Sequence, residues 1–245
     1  MKNTAIIIPT RLAATRFPNK PLAKINNIPM ILHVLNKAKE SKVGEVFVAT
    51  PDKTIFDIVK NNGGVAILTK QNHLSGSDRV YEAYSEKIKN NADLIINLQG
   101  DMPNINPNNI AKLEKLMKNS NSDIGTLASP IKDESELTDS NVVKVQVDQA
   151  LKDDSFLEAK DFFRKKKDLI NDKTYHHLGL YIFTKDALTR YVKLSRSKLE
   201  IERNLEQMRA MENNMIIKVG RTDSIPLSVD TEDDLKKVKN EMEKS

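Results

Sequence analysis

The sequence predicts an α/β fold, doubly wound and parallel in its first half, that passes into a mixed sheet with an antiparallel extension. Three observations carry that prediction. Up to about Asn119, short β-branched apolar runs alternate with stretches of helical apolar spacing, the order that builds parallel strands joined by crossover helices. Beyond it, the apolar runs Ile124 to Ser129, Val142 to Asp148 and Tyr175 to Phe183 are not separated by regular helices, which points to antiparallel pairing. The first apolar run also ends in a proline-bounded loop rich in cations, at the sheet end where open α/β folds place their ligands.

Taken in order, Ala5 to Ile8 is a buried strand stopped by Pro9. The loop it delivers carries Arg11, Arg16 and Lys20 between Pro9, Pro18 and Pro21, and the prolines lower the entropy cost of keeping the charges together. Such a loop suits a polyphosphate; the plainer reading is a solvated basic loop with turn prolines. Met30, Ile31, Val34, Leu35 and Ala38 recur at helical spacing, and Glu45 to Thr50 is a second strand. Thr54 to Lys60 is a helix broken by Gly63-Gly64, and Val65 to Thr69 is a third strand. A helix over Asp78 to Lys89 and a strand over Asp93 to Leu98 follow, and Asn106-Pro107 opens a helix with proline at its first position. After the β-rich stretch, Leu199 to Asn213 reads as one helix, Met215 to Val219 as a strand and Thr231 to Glu243 as a closing helix. With no internal repeat or linker, residues 1–245 are expected to form a single domain with a β-rich extension around 124–185.

Charge narrows the function. The 39 basic and 34 acidic residues give a net charge of +5, but the two signs are interleaved and aromatics are only 5%. A nucleic-acid-binding protein calls for a clustered basic face with aromatics, so that class is disfavoured. The sharpest basic run, Arg164-Lys165-Lys166-Lys167, reads as a solvated helix face. With no cysteine, a disulfide framework, a thiolate metal site and a cysteine nucleophile are excluded, so a metal would be a hard cation held by oxygen or histidine. The N-terminal apolar run is too short for a signal peptide and no stretch approaches a membrane span, so a cytoplasmic protein without membrane insertion is expected.

Several residues could carry chemistry. Gln99-Gly100-Asp101 follows the strand ending at Leu98, which puts Asp101 in the same crevice as the cationic loop, as a magnesium ligand or as a turn residue before Pro103. Asp230 is either a second metal ligand or the N-cap of the closing helix, with Asp233 imitating a capping box. His73 to Arg79 is a small-residue loop entering a helix, where backbone N–H groups can approach a ligand, although Ser75 could equally be the helix-entry residue. Neither GxGxxG nor GxxxxGK[ST] occurs. In an alternating strand His176 and His177 face opposite ways, and Tyr181 shares the parity of His177.

The segments Ile8-Pro9-Thr10-Arg11 through Lys20-Pro21-Leu22-Ala23, Ser75-Gly76-Ser77-Asp78-Arg79, Asn97-Leu98-Gln99-Gly100-Asp101, Asn141-Val142-Val143-Lys144-Val145, His177-Leu178-Gly179-Leu180-Tyr181, Leu205-Glu206-Gln207-Met208-Arg209 and Val229-Asp230-Thr231 follow in order. Together they resemble the signature segments of the sugar-acid cytidylyltransferases, most closely the branch that acts on 3-deoxy-octulosonates. The resemblance covers nearly the whole chain. It implies a Rossmann-like, mixed and mostly parallel sheet with helices on both faces, of the nucleotide-diphospho-sugar transferase type, in a protein that is usually a homodimer. It implies CTP and a 2-keto-3-deoxy sugar acid as substrates, Mg2+ as cofactor, and a product used in lipopolysaccharide synthesis; an acylneuraminate-type enzyme is the alternative within the family. The nucleotide side is then Pro9, Thr10, Arg11, Lys20, Ser75, Gly76 and Arg79, with Arg11, Lys20 and Asp101 catalytic and Asp101 and Asp230 on the metal. The sugar side is Gln99, His177, Tyr181, Glu206 and Gln207. The chain departs from the family's pattern at Met102, where Glu is usual, across Asp161-Phe162-Phe163-Arg164, where Tyr-Phe-Ser-Arg is usual, and at Arg203, where a second Glu is usual.

Overall fold

A computed structural model describes residues 2–13, 16–89, 91–165 and 173–243. The chain packs as two compact units, Met1–Ala111 with Pro226–Ser245, and Lys112–Ile225. The first unit is therefore discontinuous in sequence, its two segments flanking the second.

In the first unit, strands β1 (Thr4–Pro9), β4 (Glu45–Thr50), β5 (Val65–Leu68) and β6 (Leu94–Leu98) form a parallel sheet in the order β5-β4-β1-β6. Every residue of β1 is buried, as its apolar run predicts for a strand with neighbours on both sides. Helix α1 (Met30–Glu40) buries Met30, Ile31, Val34, Leu35 and Ala38, the residues whose spacing marks it in the sequence. Helix α2 (Lys53–Asn61) and helix α3 (Gly76–Ala83) supply the next crossovers, α3 continuing as a π-helical turn over Tyr84–Ile88. A hairpin that the sequence reading missed, β2 (Lys24–Ile25) with β3 (Ile28–Pro29), turns on Asn26 and Asn27, both at positive φ. Asparagine tolerates that region better than most residues, so the pair is a turn signal.

Helix α4 (Pro107–Lys118) leads into the second unit. There β7 (Ile124–Pro130) pairs antiparallel with β10 (Thr174–Thr184) and parallel with β11 (Ile217–Arg221). Strand β11 pairs with β9 (Phe156–Phe163), β9 with β8 (Lys144–Val147), and β8 again with β10, so the five strands close into a ring. Closure leaves every strand of the ring with two neighbours, which removes the open edges that invite mispairing. Strand β9 was not predicted, because its burial pattern does not alternate cleanly. The short helices α5 (Ser135–Thr138) and α6 (Lys185–Tyr191) lie in the connections.

One predicted helix needs correction. Leu199 to Asn213 forms two short helices, α7 (Lys198–Arg203) and α8 (Gln207–Glu212), separated at Asn204. Asn204 has φ 52° and ψ 50°, the left-handed conformation that ends a helix at an asparagine. In the basic run, Arg164 donates to the carbonyls of Ser140 and Asn141, whereas Lys166 and Lys167 lie outside the described residues.

Candidate active site

The C-terminal ends of β1 and β6 and the start of α3 meet in the first unit. Gly100 sits so close to β1 that a Cβ there would lie 3.2 Å from the Pro9 carbonyl oxygen and 3.3 Å from Thr10 Cβ. A Cβ on Gly76 would touch the Pro9 ring and the Gln99 amide. Pro9, Thr10, Gly76, Gln99 and Gly100 are thereby brought together, as strand-end geometry requires. Gln99 Nε2 donates to Asn97 Oδ1, which orients its amide.

The cationic loop is tied down at several points. Its backbone closes through Asn19 N–H to the Leu12 carbonyl, and Leu12 N–H donates to Asp52 Oδ2 at 2.8 Å. Sequence reasoning overlooked Asp52, although it is also an acid just beyond a strand end. Asn19 is left-handed and leads into a 3₁₀ turn, Lys20–Leu22, that carries the lysine inward. Lys20 Nζ lies 3.1 Å from Asp101 Oδ2 and 3.3 Å from Asp230 Oδ1, and Arg16 Nη2 lies 3.1 Å from Asp230 Oδ2. Arg11 is exposed.

The two aspartates come from distant parts of the sequence. Val229 N–H donates to the Asp101 carbonyl at 2.9 Å, which fixes the two segments side by side. Asp230 is not the cap of the closing helix α9 (Glu232–Met242): Thr231 is, in a capping box with Asp234, while Asp233 pairs with Lys236 on the surface. The hydroxyl of Thr231, one residue later, accepts from the Asp234 N–H and leaves the Asp230 carboxylate to face Lys20. Helix α9 also packs Leu235 and Val238 with Ile25, Met30 and Val229 in one core, against which Phe17, Ala23 and Met242 lie. The same cluster thus anchors the cationic loop and the Asp230 segment.

At α3, Ser75 is the N-cap, in a capping box with Asp78, so the helix-entry reading of Ser75 holds. Arg79 is buried, and its Nη1 donates to Thr69 Oγ1 and the Lys70 carbonyl, holding the loop from Thr69 to Ser75. Burial, then the positive charge of Arg11, lowers the Arg79 pKa.

Whether these residues suit a divalent cation follows from the placement of Lys20. Asp101 and Asp230 already converge on one positive charge, so they can share a cation. Among the described residues no group of three or more His, Asp or Glu could hold a metal by itself. Two carboxylates completed by water and phosphate oxygens is the ligand set magnesium favours, and the donors fit it.

The other residues expected on the sugar side lie in the second unit. His177 is buried on β10, its ring 5.3 Å from Tyr181 and edge-on to Phe162 at 5.1 Å. A two-residue register shift between Leu178 and Tyr181 preserves the parity that the sequence predicts. Thr126 Oγ1 lies 2.9 Å from His177 Nε2 and within 3.0 Å of the carbonyls of Leu178 and Leu180. The threonine proton is needed for a carbonyl, so Nε2 carries the histidine proton and donates it to Thr126. Burial, reinforced by His176, lowers the His177 pKa to about 3, so the ring is neutral. His176 points the other way, to Glu136 Oε2. Burial and then the Glu206 carboxylate push the Tyr181 phenol well above its ordinary value. Glu206 immediately precedes α8, its carbonyl accepting from Tyr191 Oη, and Gln207 is buried as the first residue of that helix.

Comparison with known proteins gives the family. Residues 5–218 match the family profile described as Cytidylyltransferase. The chain belongs to that family. Among curated cytidylyltransferases, the 3-deoxy-manno-octulosonate cytidylyltransferase of Brucella anthropi is 43% identical over 95% of this chain and 93% of the relative. That of Rhodopseudomonas palustris is 43% identical over 95% of this chain and 94% of the relative. A solved CMP:2-keto-3-deoxy-manno-octonic acid synthetase complexed with CTP superposes with a TM-score of 0.90 at 33% identity, covering 99% of each chain. A glucose-1-phosphate thymidylyltransferase structure from Bacillus anthracis, at 14% identity and a TM-score of 0.67, shares the fold alone. The fold is thus that of nucleotide-diphospho-sugar transferases. No helix among the described residues of this cytidylyltransferase is long and apolar enough to cross a membrane.

Proposed function

We propose that this cytidylyltransferase transfers CMP from CTP to 3-deoxy-manno-octulosonate (Kdo), for lipopolysaccharide synthesis. The observation that carries the proposal is the convergence of Lys20, Asp101 and Asp230 at the strand-end crevice, in a chain 43% identical to enzymes named for this reaction. The anomeric hydroxyl oxygen of the sugar acid attacks the α-phosphorus in line as the bond to the β-phosphate oxygen breaks, and pyrophosphate leaves with the electron pair. The hydroxyl proton passes to solvent.

Arg11 and Lys20 offset charge on the triphosphate, which grows on the leaving phosphates as the bond breaks. Pro9, Thr10, Ser75 and Gly76 line the nucleotide side, and Arg79 shapes that loop from beneath. Asp101 and Asp230 are the residues that would hold Mg2+, which supplies charge neutralisation at the phosphates and lowers the pKa of the attacking hydroxyl. Gln99, His177, Tyr181, Glu206 and Gln207 are assigned to the sugar acid; the neutral state of His177 suits it to hydrogen bonding rather than to holding a charge. The cytoplasm, where CTP is made, is the compartment we assign. A homodimer rests on the family resemblance and is tested by light scattering.

Pyrophosphate release from CTP, followed with Kdo, its 8-amino analogue and N-acetylneuraminate in parallel, tests the proposal. Turnover of an octulosonate above the neuraminate is expected. Faster turnover of the neuraminate would overturn the octulosonate assignment.

A further inference from the structure

The candidate sugar-side residues of the second unit form a circuit, and one link in it has no role so far. Phe162 stands edge-on to His177, and His177 lies against Tyr181. From Tyr181 the contacts run through the rings of Phe183, at 6.4 Å, and Tyr191, at 5.8 Å, to the Glu206 carbonyl, which accepts from Tyr191 Oη at 3.0 Å. Glu206 follows Arg203 by three residues, across the left-handed turn at Asn204. Arg203 closes the circuit: its Nη1 donates to Asp161 Oδ1 at 2.5 Å and to the Phe162 carbonyl at 2.8 Å.

The ion pair is well shielded, with side chains 26% and 14% exposed. It is therefore screened less by salt than a surface pair. Asp161 Oδ1 also accepts from the Phe162 N–H at 2.9 Å, so both partners grip the backbone of the residue that packs on His177. Losing either partner would leave the other's shielded charge unpaired, whereas the two together neutralise each other.

We infer that the Asp161–Arg203 pair is a positioning clasp that sets the separation between His177 on β10 and Glu206 before α8, and through it the selectivity for the sugar acid. Neither residue needs to touch substrate. The inference rests on the proposed function, because it takes the circuit to line the sugar side.

Both bonds come from one nitrogen of Arg203, so a lysine ammonium can replace them, whereas methionine keeps length and loses charge. Initial rates with CTP and Kdo varied separately, together with thermal unfolding, test the clasp in Arg203→Met, Arg203→Lys and Asp161→Asn. The expected result for Arg203→Met is a KM for Kdo raised about tenfold, with the KM for CTP within about twofold and reduced discrimination against N-acetylneuraminate. Arg203→Lys should recover most of the loss, and Asp161→Asn, the milder change should Arg203→Met not fold, should show the same pattern weakened. A variant that unfolds at lower temperature with both KM values and selectivity unchanged would show a structural brace only and overturn the inference. An equal rise in both KM values would overturn it as well. If the wild-type protein turns over no acid sugar, the proposed function fails and the inference falls with it.

Discussion

At the residue scale, Lys20 stands where Asp101 and Asp230 both reach it. On the proposed function the two carboxylates share one cation, so Asp101→Asn and Asp230→Asn should each lower turnover about a hundredfold or more with unchanged thermal unfolding. Wild-type turnover at limiting magnesium in a folded variant would remove that aspartate from the metal assignment. His177 gives a prediction about pH. Its pKa is about 3 in the folded chain against 6.5 when free, so the unfolded chain takes the proton first. Stability is then full above about 6.5 and falls as the pH drops towards 3, by up to about 1.4 kcal/mol per unit. Glu200 behaves differently: burial alone would raise it, but hydrogen bonds from Arg209 and Arg196 hold it below its usual 4.5, so its contribution is lost only below that value. Between pH 6.5 and 4.5, denaturant midpoints of His177→Gln should therefore stay flatter than those of the wild type. Asp101 was legible in the sequence because an acid just after the buried strand Leu94–Leu98 has few places to go, whereas Asp230, in the segment before α9, read equally as a ligand or a cap. The Arg203–Asp161 pair was not, because nothing local brings β9 beside the end of α7.

At the element scale, the helix ends decide what the neighbouring side chains are free to do. Thr231→Ala removes the cap of α9 and should cost about 1 kcal/mol while sparing most turnover, the reverse of Asp230→Asn; equal effects on both readouts would undo the division of labour between the two residues. The left-handed Asn204 should accept glycine with little loss, whereas Asn204→Ala should cost about 1 kcal/mol in thermal unfolding. Apolar periodicity made α1 and the parallel strands readable in advance. It misread Leu199 to Asn213 as one helix because Glu, Arg and Gln continue a helical pattern through a turn that a single backbone angle imposes. The ring of strands in the second unit was unreadable for a related reason: closure depends on β8 reaching β10 across the sheet, and no local pattern records which strands will meet.

At the scale of the whole molecule, the core under α9 ties the closing helix to the loop that carries Lys20. Leu235→Ala should destabilise by about 2–4 kcal/mol, and the faster amide exchange should concentrate in Phe17 to Ile25 rather than in β7 and β10; uniform acceleration would mean that the two units open as one. The position of Lys112–Ile225 in sequence between Asp101 and Asp230 has a consequence for biosynthesis. A ribosome adding roughly 5–20 residues per second needs on the order of ten seconds to pass from the first aspartate to the second. Throughout that interval Ile25 and Met30 have no Val229, Leu235 or Val238 to cover them, so the nascent chain leaves apolar surface open. A chaperone that shields residues 1–111 during translation would be serving a unit whose core closes only when Val229, Leu235 and Val238 arrive.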